Sequence, residues 1–330
     1  SDIAVINAKK GSSLISTSRF SGVKRLRIPK TKTVADMVEK YKKNPNVVYA
    51  EPNYIAHTFW APDDELYSLQ WHLANAEGSG INMESAWDIE TGHPSVIVAV
   101  IDTGVAYEEH EEYIDNPGRR NDYWITYQRA PDLADTNFIA GYDFVNDDLH
   151  PNDDAGHGTH VTGTIAQSTN NGIGVAGVAF DTTIMPVKVL DGSGSGTHTD
   201  IADGIYYAAD NGAQVINMSL GGPSGSITLE EALAYAHDKG VTIVCASGND
   251  GSATEVGYPA AYDAYCIAVG ATRYDEAVAA YSNGGASLDL TAPGGDTTVD
   301  QNGDGYVDGV LQQTFGDTPT DWGYWFYQGT

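Results

Sequence analysis

The sequence predicts an α/β fold in which a doubly wound, mostly parallel sheet follows a small α+β module. From residue 94 onward, apolar runs of strand length alternate with segments of helical spacing, as in open sheets covered by helices on both faces. The charge also divides the chain. Residues 1–60 hold eleven Lys and Arg against four Asp and Glu, whereas residues 61–330 hold six against forty-one. We therefore expect two domains, 1–60 and 61–330.

The basic N-terminal segment has folding signals of its own. The stretch "GVKRLRIPK" (22–30) alternates like a strand, and "TVADMVEKYKKNPNV" (33–47) has helical spacing with Thr33 in position to cap it. A further strand is expected in "VVYAEPNYIAH" (47–57). These signals favour a small α+β module over a basic tail.

The acidic segment supplies the strands and helices of the predicted sheet. Its strands are expected in the apolar runs 95–104, 182–190, 213–222, 241–249 and 265–272. Its helices are expected in the intervening segments 160–168, 199–212 and 228–240. In the last helix we interpret Thr228 and Glu231 as a capping box and Gly240 as the stop signal.

The composition restricts the classes of partner. A formal net charge of −28 on 330 residues argues against a nucleic-acid partner, and the apolar runs are too short for a transmembrane helix. We therefore expect neither nucleic acid nor membrane as a partner. The two cysteines, Cys245 and Cys266, lie in strands that we expect to be neighbours, and two alternatives stay open: a disulfide or two buried thiols.

Three polar residues stand where such sheets carry their chemistry, at the ends of strands or the start of a helix. Asp102 closes the first aliphatic run, His157 opens a helix in "DDAGHGTHVTGTIA", and Asn249 ends "CASGN". Taken singly, each has an ordinary explanation as a turn or cap residue. Together, they suggest one shared site.

In order and context, "VIDTGV", "HGTHVTGTIA" and "ASGN" resemble the motifs of the subtilisin-like serine proteases, from about residue 65 to the end. The resemblance implies that His157 is the general base, that Asp102 fixes its tautomer and that Asn249 donates to the oxyanion. Placement in the first helical turn is expected to disfavour protonation of His157. A second histidine of the motif, His160, is expected to be structural.

The same family has a nucleophilic Ser in a G-T-S-M-A segment, and this sequence reaches Gly329-Thr330. The resemblance therefore implies that the nucleophile follows directly after Thr330. We expect either more chain or a chemically modified serine at that point.

Substrate binding follows from the resemblance as well. One edge segment and its opposite are expected to pair with an extended peptide, and glycines around the primary pocket leave room for a large apolar residue before the scissile bond. The residues assigned to this role are Ser193, Gly194, Ser195, Ser219, Leu220, Gly221, Gly222, Ala246, Ser247, Gly248 and Gly257.

A first calcium site is implied by "TNNGIGV" (169–175), which resembles the calcium loop of the family. The implied ligands are the side chain of Asn171, three carbonyl groups of the loop and two residues from elsewhere. Besides Asn171, they are Thr169, Ile173, Val175, Gln70 and Glu111.

A second calcium site is expected in "DQNGDGYVD" (300–308), where oxygen-bearing side chains alternate around a glycine as in an EF-hand-type loop. The expected ligands are Asp300, Asn302, Asp304, Asp308 and the carbonyl of Tyr306. The alternative is a merely acidic turn.

Residues 1 to about 57 resemble the inhibitory prodomain of the family, which makes that segment the expected partner of the larger domain, besides peptide substrates. We thus expect a secreted, monomeric, calcium-dependent serine endopeptidase in its pro-form. Two alternatives stay open: a peptide-binding pseudoprotease on the same fold, and a calcium-binding surface protein.

Overall fold

The computed structural model describes residues 2–54, 60–74, 79–114 and 123–330, and its contacts divide the chain into two compact units, 1–58 and 59–330. The helices are α1 (Asp2–Lys10), α2 (Val34–Lys42), α3 (Met83–Trp87), α4 (His157–Ala166), α5 (His198–Asp210) and α6 (Ile227–Asp238). The strands are β1 (Ser13–Thr17), β2 (Lys24–Arg27), β3 (Ile97–Asp102), β4 (His110–Ile114), β5 (Tyr123–Tyr127), β6 (Asn137–Phe138), β7 (Tyr142–Asp143), β8 (Thr183–Lys188), β9 (Val215–Met218), β10 (Thr242–Ala246), β11 (Cys266–Thr272), β12 (Leu290–Pro293), β13 (Val310–Phe315) and β14 (Trp322–Tyr327). None of the described helices is long and apolar enough to cross a membrane.

The N-terminal unit is a small α+β module. Its strands β1 and β2 pair antiparallel, and its buried core is formed by Ile6, Met37 and Tyr41. Thr33 caps α2 as expected, because its hydroxyl accepts a hydrogen bond from the backbone N–H of Asp36 at 3.1 Å.

The strand expected over 47–57 is wrong for the part that the structure describes, since residues 47–54 contain no strand. After α2 the chain turns, with the N–H of Val47 donating to the carbonyl of Asn44 at 2.9 Å. Alternation alone cannot make a strand without a partner edge, and Val48 is fully exposed. Residues 55–57 lie outside the described part.

The larger unit contains the predicted sheet. Eight strands form it in the order β12-β11-β10-β9-β3-β8-β6, with β7 also paired to β8, and every pairing among them is parallel. The five strands predicted from apolar runs are all present. The prediction of a mostly parallel sheet is therefore confirmed.

Helices cover both faces of the sheet, which confirms the doubly wound arrangement. Alternate residues of β3 point to opposite faces: Val98 and Val100 belong to the cluster that includes Ala166 of α4, whereas Ala99 and Ile101 belong to the cluster that includes α5 and α6. This double burial explains why β3 reads as a continuous aliphatic run.

The start of α6 differs from the prediction. Its N-cap is Ser226, whose hydroxyl accepts a hydrogen bond from the N–H of Leu229 at 3.2 Å, so Thr228 and Glu231 lie inside the helix and do not form its capping box. Two acceptable cap residues stand close together here, and the backbone geometry selects the first of them. Gly240 follows the helix with φ of +85°, as its stop signal predicted.

In the described part of the larger unit, two antiparallel strand pairs lie outside the sheet, the hairpins β4–β5 and β13–β14. The second packs against α4, where the carbonyl of Trp325 lies 3.1 Å from Nε2 of His160. Cys245 and Cys266 are both buried free thiols, so the second of the two open alternatives holds in the structure.

Candidate active site

The site forms where β3 ends beside the start of α4. Asp102 is fully buried, and its Oδ1 lies 2.7 Å from Nδ1 of His157, whose side chain is about half exposed. The same Oδ1 accepts a hydrogen bond from the N–H of Thr103 at 2.7 Å. A proton on Nδ1 facing this carboxylate leaves Nε2 free to accept a proton from another group.

A close approach of backbone to backbone makes this geometry attainable. A Cβ on Gly158, the second residue of α4, would lie only 2.1 Å from the carbonyl oxygen of Gly104. Glycine at position 158 therefore lets the helix start directly against the end of β3. Any larger residue there would push His157 away from Asp102.

Asp153 supports the start of α4 from a buried position that the sequence did not suggest. Its Oδ2 accepts hydrogen bonds from the N–H and hydroxyl of Thr159 at 2.8 and 2.6 Å, and its Oδ1 accepts from the hydroxyl of Thr103 at 2.8 Å. Thr103 in turn accepts from the N–H of Gly158 at 2.9 Å. The network fixes the end of β3 relative to α4, and thus the Asp102–His157 pair.

The carboxylate also governs the protonation of His157. Burial by itself lowers the pKa of this imidazole, but the charge of Asp102 and its hydrogen bond outweigh that effect, so the net pKa is raised above 6.5. The helix start, which was expected to disfavour protonation of His157, therefore has a weaker influence on its pKa than Asp102 has. His160 differs, because burial lowers its pKa to about 4 and its ring stacks on Tyr327 at 4.2 Å, which suits the structural role expected of it.

A pH profile of the full-length protein tests this pair. Because only the neutral imidazole accepts a proton, we expect kcat/KM on a peptide substrate to rise with pH through a midpoint above 6.5. A midpoint at or below the ordinary histidine value would contradict the raised pKa. The variant Asp102→Asn, which removes the carboxylate, should lower the pH midpoint. A midpoint that came from titration of the substrate would not move in this variant.

Asn249 lies in the loop after β10, next to the last residues of the given sequence. Its Oδ1 accepts hydrogen bonds from the N–H and hydroxyl of Thr330, both at 3.1 Å. Thr330 and His157 line the same groove, which has a volume of about 460 Å³. The structure thus brings all three sequence-predicted catalytic residues to one region.

A second cleft, of about 610 Å³, is also lined by His157. Its lining includes the residues assigned to both peptide-binding edges, Ser193, Gly194, Ser195, Ser219, Leu220, Gly221 and Gly222. Sequence reasoning missed further lining residues, among them Leu190 and Tyr258. Leu190 carried no signal of a binding role, because it ends a run interpreted only as a strand. For Tyr258 the available signal was its position next to Gly257, which was assigned to the predicted pocket.

The other four residues assigned to the primary pocket do not line this cleft. Ala246 is the last residue of β10, and Ser247 and Gly248 follow it. Ser247 is fully buried, with its hydroxyl donating to the carbonyl of Asn283 at 2.9 Å. Gly257 donates its N–H to the carbonyl of Ser247 at 2.8 Å. Gly222 and Tyr258, which do line the cleft, exchange two backbone hydrogen bonds of 2.9 Å.

The loop 169–175 contacts two buried carboxylates, those of Asp64 and Asp132. Oδ1 of Asp132 accepts from Nδ2 of Asn171 at 3.1 Å, and its Oδ2 accepts from the N–H of Val175 at 3.0 Å. Asp64 accepts from the N–H of Asn170 at 2.8 Å. Burial raises the pKa of Asp132 to about 7 and also raises that of Asp64, so both carboxylates would gain from a bound cation.

The structure does not bring Glu111 to this loop. It lies on the hairpin strand β4, opposite Thr126, and no described hydrogen bond joins it to residues 169–175. Gln70 is fully buried beside the loop, with its Oε1 accepting from the N–H of Ala176 at 2.7 Å. The β4–β5 hairpin comes between β3 and Asp132 in the chain and carries Glu111, whereas Asp132 contacts the loop. The "APDL" segment holding Asp132 was the signal available.

In the loop 300–308, the predicted side chains form hydrogen bonds within the loop itself. Oδ1 of Asp300 accepts from the N–H of Gly303 at 2.7 Å, and Nδ2 of Asn302 donates to Asp304 at 3.0 Å. Asp308 is fully buried, and its Oδ1 has no hydrogen-bond partner among the described residues. A bound calcium ion would supply a partner for this orphaned carboxylate oxygen.

Comparisons with known proteins agree with this geometry. Residues 93–330 match the subtilase family, peptidase S8, and residues 1–53 match the fervidolysin N-terminal prodomain. A thermophilic serine proteinase of Bacillus sp. strain AK1 is 41% identical over 87% of this chain and 65% of its own length. Thermitase of Thermoactinomyces vulgaris is 42% identical over 71% of this chain and 74% of its own.

Among solved structures, a protease from Pseudoalteromonas arctica covers 82% of this chain and 82% of its own, with a TM-score of 0.68 and 32% identity. The chain spans 65% of the length of the Bacillus relative, so the relative extends beyond the matched part. Sequence match, fold and site geometry point the same way, and the chain belongs to the subtilase family of serine proteases, with a prodomain of the fervidolysin type at its N-terminus.

Proposed function

We propose that the full-length protein is a serine endopeptidase that hydrolyses peptide bonds with an Asp-His-Ser triad. The observation that carries the proposal is the 2.7 Å contact between buried Asp102 and half-exposed His157 at the edge of a peptide-sized cleft. Neutral His157 takes the proton of the serine during attack and later protonates the leaving amine, while Asp102 stabilises the imidazolium. The side-chain amide of Asn249 donates to the tetrahedral oxyanion.

The cleft supports binding of an extended peptide. The segments 193–195 and 219–222 both line it, which supports strand-like pairing with an extended peptide. Leu190 and Leu220 add apolar surface, which supports a preference for a large apolar residue before the scissile bond.

Labelling with a serine-directed phosphonylating reagent tests the proposed chemistry. We expect one equivalent of label on the full-length protein and cleavage of peptide substrates. In a pseudoprotease on the same fold, peptides would bind without being cleaved and no serine would be labelled. Rapid labelling that vanishes in His157→Ala would assign the activation of the serine to this imidazole.

We also propose that two calcium ions stabilise the fold. Asp64, Asp132, Gln70 and the loop 169–175 would hold the first, and the loop 300–308 the second. Bound calcium would neutralise buried carboxylates and take no part in proton transfer. The resemblance to secreted family members and the acidic surface support a secreted monomer.

The basic unit 1–58 is proposed to be the inhibitor of the acidic domain. The net charge of residues 1–60 is +7, from eleven Lys and Arg against four Asp and Glu. The net charge of the remainder is −35, from six Lys and Arg against forty-one Asp and Glu. Opposite charges speed association and are screened by salt. The prodomain family match over residues 1–53 supports this role.

Salt dependence tests this electrostatic account. Inhibition of the mature protease by a separately added prodomain should weaken as the salt concentration rises from about 0.01 to 1 M, because the Debye length falls from about 30 to 3 Å. An inhibition constant independent of salt would show that apolar burial and backbone pairing dominate instead. Added sucrose at matched osmolarity controls for non-ionic solvent effects.

A further inference from the structure

A cluster of possible metal ligands lies apart from both calcium loops. It consists of Glu108, His110 and His150, whose ligand atoms all lie within 4.8 Å of one another. Nδ1 of His150 is 2.8 Å from Oε1 of Glu108, and the rings of His110 and His150 stack with centroids 3.9 Å apart and planes 11° apart. All three residues are half-buried, and the proposed reaction uses none of them.

The ligand types select the class of ion. Two imidazoles with one carboxylate suit zinc and similar transition-metal ions, whereas calcium and magnesium prefer oxygen ligands. A tetrahedral zinc ion holds nitrogen and oxygen ligands about 3.4 Å apart. The ligand atoms of this cluster, all within 4.8 Å of one another, lie close to that separation. The fourth position would be taken by water.

A neighbouring residue provides an independent sign of a missing ligand. Asn152 is 2% exposed, and its Nδ2 donates to Oε1 of Glu108 at 3.0 Å. Its Oδ1 is buried and accepts no hydrogen bond from any described residue. Buried amide oxygens are normally paired, and a metal-bound water beside Glu108 would supply the donor.

The surrounding charges also favour a cation. The backbone N–H of His150 donates to Oδ1 of Asp148 at 2.7 Å, which places a second carboxylate beside the imidazole pair. In this partly buried setting, a divalent ion gains more from nearby carboxylates than it would in water.

We propose that Glu108, His110 and His150 bind a transition-metal ion of the zinc class. The ion joins the start of the β4–β5 hairpin to the loop before α4. These two segments already meet nearby, where the N–H of Val105 donates to the carbonyl of Pro151 at 2.9 Å. Asp153 lies in the same loop and fixes the start of α4, so the metal would stabilise the support of the active site without entering the reaction.

Cobalt(II) titration of the full-length protein tests the site, because cobalt replaces zinc and absorbs visible light. We use a His157→Ala background, which prevents self-cleavage and removes the catalytic imidazole, and keep calcium in excess. One equivalent of cobalt should give absorption bands of a four- or five-coordinate ion. His110→Gln and His150→Gln should each weaken binding at least about tenfold, and zinc should raise Tm only while both histidines are present.

Two controls keep the test decisive. His237→Gln, an exposed histidine on α6, should leave cobalt affinity unchanged. Glu108→Gln keeps the size of the side chain and serves as the ligand variant if a histidine variant fails the far-UV circular dichroism check. Three results would overturn the proposal. The cobalt spectrum could be only that of an octahedral ion, the ligand variants could bind cobalt as tightly as the parent protein, or calcium could displace the cobalt.

Discussion

Replacing Asp102 with Asn in the full-length protein should lower kcat by about 10⁴-fold, the loss known for this change in a serine-protease triad. Either orientation of the new amide is unfavourable. With Nδ2 toward His157, the imidazole must carry its proton on Nε2 and cannot act as base. With Oδ1 toward His157, the tautomer survives, but the charge that stabilises the imidazolium is gone and a buried amide nitrogen replaces Oδ2.

The measurement is steady-state hydrolysis of a peptide substrate, with Tm recorded for each variant. Asp238→Asn is the matched control, because that carboxylate is 86% exposed at the end of α6 and should leave kcat unchanged. A loss below about tenfold would show that Asp102 does not govern His157. A large fall in Tm would instead assign the effect to stability.

Removing calcium should destabilise the protein strongly. If free calcium is about 1,000 times Kd, each lost site costs about 4 kcal/mol and lowers Tm by about 10 °C. Part of this effect comes from Asp132, whose pKa in the calcium-free fold is raised by burial to about 7 from 3.8. The folded state then binds more protons than the unfolded state between these values, so calcium-free stability falls as pH rises through this window.

Thermal unfolding with calcium or with a strong chelator measures the effect. The fall in Tm caused by chelator should be larger near pH 8 than near pH 5, since protons compete with the metal at Asp132. Asp132→Asn and Asp308→Asn should each remove one part of the calcium dependence, whereas Asp238→Asn should remove none. A Tm that chelator does not change would eliminate both proposed sites.

Local patterns in the sequence determined the elements of the sheet. The run 97–102 is almost continuously aliphatic because helices cover both faces of β3, so successive side chains are buried on one face or the other. The helix that begins at His157 was also predictable from its local sequence, in which small residues allow close packing. Asp102, His157 and Asn249 were visible as polar residues at element ends, and the family motifs around them gave each a role.

Contacts between segments distant in the sequence decided which strands pair and which carboxylate lies at the loop 169–175. The strand expected at 47–57 does not form over its described residues, where no described strand pairs with them, and a strand needs a partner whatever its alternation. Glu111 was expected at the calcium loop, but the β4–β5 hairpin carries it elsewhere and Asp132 lies there instead.

Asp153 and the cluster of Glu108, His110 and His150 show the same limit. Each depends on side chains that the fold brings together from separate loops, and their spacing in the sequence matches no local period. Periodicity reports which face of an element is buried, whereas the partners of a buried polar group are chosen by tertiary packing.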